Sequence, residues 1–247
     1  SIYYDKRLIM ISKISLNYSP NFSIKKRIRK NIKFIVFHYT GMRSENKAIN
    51  RLTDVNSKVS CHYFVKRNGK IILMVPETYT AWHAGKSHWG NFRNLNDHSI
   101  GIEIQNFGHS HGYQSFSKYQ IKSIIKISKY LSKKYKINKK HFLGHSDISC
   151  NRKKDPGEKF PWEKLAKINI GIWHNLKKNK LRKLRGLKIS KFEEKQLKKY
   201  LKKIGYKVKN SSTTILAKAF QRRFRQESIN GKFDKECFHI SKKLSKM

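Results

Sequence analysis

Residues 62–75 read HYFVKRNGKIILMV, two runs of aromatic and β-branched residues separated by Asn68 and Gly69. Asn-Gly tolerates the positive φ of a tight two-stranded turn, so the stretch predicts an antiparallel hairpin. The material to extend and cover that hairpin lies on both sides of it. Upstream, residues 33–40 read KFIVFHYT, a nearly continuous apolar run of the kind that marks a strand buried on both faces, ending near His38. Downstream, residues 99–106 read SIGIEIQN, where Ile100, Ile102 and Ile104 alternate with Gly101, Glu103 and Gln105. That period of two sends Glu103 away from the core. Residues 141–147, HFLGHSD, predict another buried strand that delivers His145 at its end.

Helical spacing fills the gaps between these strands. Ala48, Ile49 and Leu52 predict a short helix over 45–54, and Ile121, Ile124, Ile125, Ile127 and Leu131 predict an amphipathic helix over 117–135 capped by Ser117. Strands interleaved with helices, with one antiparallel pair among them, give an α/β fold: a mixed central β-sheet flanked by helices. The sequence divides into a basic N-terminal arm (1–30, with KKRIRK at 25–30), a main domain (31–175), a basic linker (176–188, containing KKNKLRKLR) and a C-terminal segment (189–247). Three amphipathic stretches, 190–203, 213–225 and 234–246, are separated by Gly205 and Gly231 and predict a small three-helix C-terminal domain.

The 247 residues carry 57 basic and 15 acidic side chains, a formal charge of +42 dominated by Lys. Such a surface attracts polyanions in general, and biased Lys usage alone would also produce it. Lys lacks the planar fork with which Arg reads bases, and no helix-turn-helix, zinc-finger or RNP motif is present, so no nucleic-acid partner is expected. Three cysteines at wide spacing, Cys61, Cys150 and Cys237, do not form a disulfide framework. The first sixteen residues have charges interrupting their apolar side chains and lack the core of a secretory signal, while a start at Ser1 is compatible with an upstream segment already removed.

The residues able to do chemistry are His38, Glu103, His145, Lys153 and Asp155, each at a predicted strand end or in an adjoining loop. A catalytic zinc takes three protein ligands and keeps one position open, a requirement that two imidazoles and a carboxylate meet. His38, His145 and Asp155 could supply them. No HExxH-type helix ties the three together, and a histidine at a strand end is ordinarily a hydrogen-bonded structural residue, so spacing by itself leaves both readings open.

Six motifs in order, IVFHYTG, SCHYFVKRNG, AWHAG, NLNDHSIGIEIQN, GHSDISCNRKKDPG and FPW, resemble the zinc-dependent N-acetylmuramoyl-L-alanine amidases of type 2, over about residues 30–175. That superfamily includes bacterial anhydro-muropeptide amidases, phage lysozymes of the amidase kind and animal peptidoglycan recognition proteins. LNDHSIGIE, RKKDPG and FPW, with a helical tail behind, point to its enterobacterial lipoprotein branch. The resemblance implies one Zn2+ per chain on His38, His145 and Asp155, with Glu103 as the acid/base carboxylate and Lys153 as the residue that stabilises the oxyanion. The phage branch has a Tyr where this chain has Cys61, which leaves Glu103 as the available proton carrier. Tyr39, Thr40, Trp82, His83, Ala84, Gly85, Arg93 and Asn94 are expected to line the substrate groove, and His62 to support the site without binding metal. AFQRRF and NGKFD in the tail resemble a three-helix peptidoglycan-binding domain, with FRQES in place of the Pro-containing turn expected there.

The expected activity is hydrolysis of the amide between N-acetylmuramic acid, including 1,6-anhydro forms, and L-alanine, in peptidoglycan or muropeptides, for cell-wall turnover or recycling. The alternatives are a non-catalytic peptidoglycan-binding receptor on the same fold and, below it, a basic nucleic-acid-binding protein. A monomer is expected. Resemblance alone favours the periplasm or cell envelope, with peripheral membrane association if an upstream lipoprotein signal has been removed, and a cytoplasmic location stays open.

Overall fold

The computed structural model describes residues 14–247, so residues 1–13 of the expected arm lie outside the described residues. The strands are β1 (Ile14–Leu16), β2 (Phe22–Ser23), β3 (Phe34–Tyr39), β4 (Tyr63–Val65), β5 (Ile71–Leu73), β6 (Thr80–Ala81), β7 (His88–Trp89), β8 (Phe92–Arg93), β9 (Ser99–Ile104) and β10 (Phe142–Gly144). Six of them form a mixed sheet in the order β1-β5-β4-β9-β3-β10. By its contacts the chain divides into two units: the described residues up to Gly85 with Asn94–Leu143, and Lys86–Arg93 with Gly144–Met247.

The first unit is built around the hairpin. β4 and β5 run antiparallel with Phe64 opposite Ile72, and Gly69 in the turn has φ 83°. Glycine is required there twice over, because a Cβ would also stand 2.7 Å from the carbonyl oxygen of Tyr119. β9 pairs in parallel with β4 on one side and β3 on the other. Phe34, Ile35, Val36 and Phe37 of β3 are at most 1% exposed, as a strand covered on both faces demands.

Helix α1 (Glu45–Thr53) is capped by the Ser44 side chain and lays Ala48, Ile49 and Leu52 against Cys61, Phe64, Ile72 and Met74. Helix α2 (Lys118–Tyr135) opens with a reciprocal capping box between Ser117 and Gln120, which satisfies two of the N–H groups a helix start leaves over. Tyr63 points to the opposite side of β4 from Phe64. There its hydroxyl and that of Tyr135 both donate to Glu77, which Lys134 meets at 2.9 Å. Helices therefore cover both faces of the sheet, as the alternating pattern predicts.

Residues 14–30 are more firmly held than an arm. β1 joins the sheet beside β5 and β2 pairs with β6. The Arg27 guanidinium donates to the carbonyls of Glu77 (3.0 Å), Asn96 (2.9 Å) and Ser99 (2.6 Å). The basic composition concealed this anchor, since one inward Arg looks like any other in a Lys- and Arg-rich stretch.

In the second unit the helices are α3 (His145–Ile148), α4 (Trp162–Ala166), α5 (Lys178–Leu184), α6 (Lys191–Ile204), α7 (Thr213–Phe224) and α8 (Lys235–Leu244). The last three lie where periodicity predicts them, with Ser190 and Asp234 as side-chain caps. Two expectations need correction. The stretch 176–188 is not a plain linker: it contains α5, whose Leu181 is buried and whose neighbour Arg185 bridges Glu227 and Glu236. Nor do α6–α8 form a body apart from residues 144–175, because Phe224 lies against Trp173, Arg223 sits 4.3 Å over the ring of Trp162, and Gln226 Nε2 donates to Phe160 O at 2.7 Å. FRQES needs no proline to turn, since Arg225 donates to Ser228 O, Asp234 and Asn230 and closes the loop with its own side chain.

Candidate active site

The register of two parallel strands sets the site. His38 of β3 and Glu103 of β9 are Cα partners, and paired residues project from the same face of a sheet. His38 is buried and Glu103 half-buried. β10 is the next strand beyond β3, and its last residue leads directly into His145. Glu103 and His38 thus lie one residue before the ends of β9 and β3, and His145 directly follows β10.

His38 is held by a chain of hydrogen bonds. Its Nε2 lies 2.9 Å from His83 Nδ1, and His83 Nε2 lies 3.1 Å from Ser99 Oγ, which donates its own proton to Leu95 O at 2.5 Å. With its proton committed, Ser99 Oγ accepts from His83 Nε2. A His83 that accepts at Nδ1 leaves the His38 proton on Nε2 and its lone pair on Nδ1, a form in which an imidazole binds a metal. Gly101 makes room for this arrangement: a Cβ there would stand 2.4 Å from His83 Cγ.

His145 and Asp155 are both buried, with Nδ1 and Oδ2 3.1 Å apart. Ser146 N donates to Asp155 O at 2.8 Å, tying the two segments at the backbone as well. Gly144 is constrained by this approach, since a Cβ there would meet Pro156 Cδ at 2.8 Å. His38, His145 and Asp155 each offer one ligand atom, and these atoms all lie within 4.8 Å of one another. Zinc–donor bonds of about 2.0–2.1 Å in a tetrahedron separate neighbouring donors by about 3.4 Å, close to the His145–Asp155 spacing. Two imidazoles and one carboxylate, all three buried, are a donor set that suits zinc.

A family model described as N-acetylmuramoyl-L-alanine amidase matches residues 28–158, the stretch that contains all three donors and Glu103. The chain belongs to this amidase family. It is 35% identical over 229 residues to the N-acetylmuramoyl-L-alanine amidase AmiD of Escherichia coli K12, covering 86% of this chain and 82% of that one. It is 39% identical over 108 residues to the 1,6-anhydro-N-acetylmuramyl-L-alanine amidase AmpD of Haemophilus influenzae, covering 43% of this chain and 56% of the relative. Among solved structures, E. coli AmiD in complex with the substrate anhydro-N-acetylmuramic acid-L-Ala-D-γ-Glu-L-Lys superposes with a TM-score of 0.75 at 32% identity, over 90% of this chain and 91% of the other. AmpDh3 from Pseudomonas aeruginosa gives 0.77 at 28% identity, over 94% and 98%.

In this amidase, Lys153 is half-buried two residues before Asp155, its amide donating to Ser149 O. Of the residues expected in the groove, Tyr39 is half-buried and its hydroxyl lies 2.8 Å from Nδ1 of His109, which stacks on Tyr113. Trp82 is half-buried with its indole donating to Ser23, while Gly85, Arg93 and Asn94 are exposed. The Thr40 hydroxyl lies 3.0 Å from Gln105 Oε1 and 2.9 Å from Asn106 O. His83 and Ala84 are both buried, Asn96 Oδ1 accepts from both their amides, and the His83 ring meets His38.

Cys61, in place of the phage tyrosine, is a fully buried thiol whose pKa is pushed well up, first by burial and then by Glu103, so it is no nucleophile. His62 is likewise internal. Burial and then the charge of Arg27 hold its pKa well below the ordinary imidazole value, and its Nδ1 accepts from Gly101 N. Sequence reasoning missed His83 beside His38, Asn96 on the amides of residues 83 and 84, and Arg27 on three carbonyls. A signal for the first existed: a lone glycine inside a strand pattern marks the close approach of another group, and Gly101 is such a glycine.

Proposed function

We propose that this amidase uses one zinc ion, held by His38, His145 and Asp155, to hydrolyse the amide between N-acetylmuramic acid and L-alanine in peptidoglycan or in muropeptides, the 1,6-anhydro form included. The observation that carries the reading is the group of two imidazoles and a carboxylate with Glu103 paired to His38 on the adjacent strand. The family match and the likeness to AmiD bound to an anhydro-muropeptide support the substrate.

Zinc, when bound, supplies a Lewis acid that acidifies water and polarises a carbonyl. The remaining work falls to the chain. Glu103, projecting from the same sheet face as His38, takes the proton of the attacking water and returns it to the alanine nitrogen as the C–N bond breaks. Lys153 brings positive charge to the carbonyl oxygen as that oxygen becomes anionic. His83 holds His38 in its lone-pair tautomer, and the exposed Arg93 and half-buried Trp82 offer contacts for the acidic peptide and the sugar.

The test is incubation of the purified chain with anhydro-N-acetylmuramoyl-tripeptide and with isolated sacculi, followed by mass spectrometry of the products. Release of free peptide beginning at L-alanine, abolished by a chelator and restored by added zinc, is the expected result. Cleavage elsewhere, or none with zinc present, would overturn the substrate assignment.

A further inference from the structure

We propose that helices α6–α8 brace the zinc-binding segment through a buried ion pair, making Arg223 and Tyr206 positioning residues for His145 and Asp155. The inference rests on the zinc reading above and concerns residues that lie together in the second unit.

The pivot is Asp147, two residues beyond His145 and 1% exposed. One carboxylate oxygen, Oδ2, accepts from Gly144 N at 2.7 Å, closing the start of the one-turn helix α3 that opens on His145. From α7 the Arg223 guanidinium reaches that same oxygen at 2.5 Å, and from the connection between α6 and α7 the Tyr206 hydroxyl donates to Oδ1 at 2.7 Å. Every partner of this carboxylate is therefore buried, and two of the three come from a part of the chain more than fifty residues away in sequence.

Arg223 is itself fixed on its other sides. It is 2% exposed, lies 4.3 Å over Trp162 and 5.0 Å over Phe224, and Gly171 leaves the space in which a Cβ would crowd the Trp162 ring at 3.2 Å. Tyr206 is wedged against Trp89 and Phe220, and the Gly205 preceding it could not carry a Cβ, which would fall 2.3 Å from Trp89. Burial, then the charge of Asp147, raises the Tyr206 pKa well above the phenol value, so it remains a donor.

A four-residue helix has almost no internal hydrogen bonding to hold it. Its orientation depends on Asp147, and Ser146 passes that orientation to Asp155 through its backbone bond at 2.8 Å. The chain thus arranges two of its three donors with a carboxylate that the C-terminal helices hold. Outer partners of metal ligands commonly set affinity by about 10–100-fold. Such a role is separate from any grip these helices have on the cell wall.

The experiment compares zinc affinity of the full chain, by competition with a chromogenic chelator, among wild type, Tyr206→Phe, Arg223→Met and Arg223→Lys. Circular dichroism and melting of the metal-free proteins are followed in parallel, with the visible spectrum of the cobalt-loaded forms as a reporter of ligand geometry. Tyr206→Phe removes a single hydroxyl from a packed ring and keeps the fold testable if Arg223→Met does not fold. The expected result is zinc affinity about tenfold or more lower in Arg223→Met, lower by a smaller factor in Tyr206→Phe, and partly restored in Arg223→Lys, with an altered cobalt spectrum. Wild-type affinity and an unchanged cobalt spectrum in folded Tyr206→Phe and Arg223→Met would overturn the brace and leave the zinc reading standing. A wild type that binds no zinc would overturn both.

Discussion

Glu103→Gln should lower kcat for muropeptide cleavage by about 10²–10⁴-fold, the range that a positioned acid/base group contributes, while zinc content stays that of the wild type. Gln keeps the shape of the side chain and its half-buried place on β9, so the sheet register that pairs position 103 with His38 is retained. What it removes is the oxygen able to take a proton and give it back. Steady-state kinetics alongside metal analysis separates this from loss of the site. A variant that keeps activity within a factor of about three would mean that another group moves the proton.

Lys153→Met carries the second large effect. Methionine retains much of the length of the side chain and deletes only its charge, so the loss expected is that of one oxyanion-stabilising group, about 10²–10³-fold in kcat. KM should change little, because the charge is needed where the tetrahedral oxygen develops and not on the neutral amide that binds. A rise in KM with kcat unchanged would instead make Lys153 a substrate-binding residue, one more basic contact for an acidic peptide.

Much of the architecture was legible because it rests on local patterns. Asn68-Gly69 marked the turn between β4 and β5, the apolar run around Phe37 marked a strand covered on both faces, and Ser117 with Gln120 marked the start of α2. His38 lies near the end of β3 and His145 directly follows β10, so recognising the strands placed both histidines at strand ends. Other features escaped because they depend on pairs far apart in sequence. Nothing local distinguishes Arg27, which braces three carbonyls, from the lysines beside it. Asp147 looks like a solvated residue of GHSD until Tyr206 and Arg223 are seen against it. Trp82, His83, Ala84 and Gly85 resemble a cleft wall as one stretch, yet the His83 ring turns in toward His38 and Ser99.

Short helices were the other blind spot. α5 lies in a run so basic that it resembles a solvated tether, and only Leu181 on its inner side gives it away. Glu227 and Glu236 pair with Arg185 from other parts of the chain, and spacing within 176–188 carries no trace of them.

If His38, His145 and Asp155 together hold one catalytic zinc, metal content per chain shows it, measured by elemental mass spectrometry on the wild type and on His38→Ala, His145→Ala and Asp155→Ala. The expected result is one zinc in the wild type and a loss of most of it in each of the three variants, with His62→Ala, outside the donor set, keeping the metal if it folds. Stoichiometric zinc that survives all three donor substitutions, or a wild type that takes up none, would contradict it.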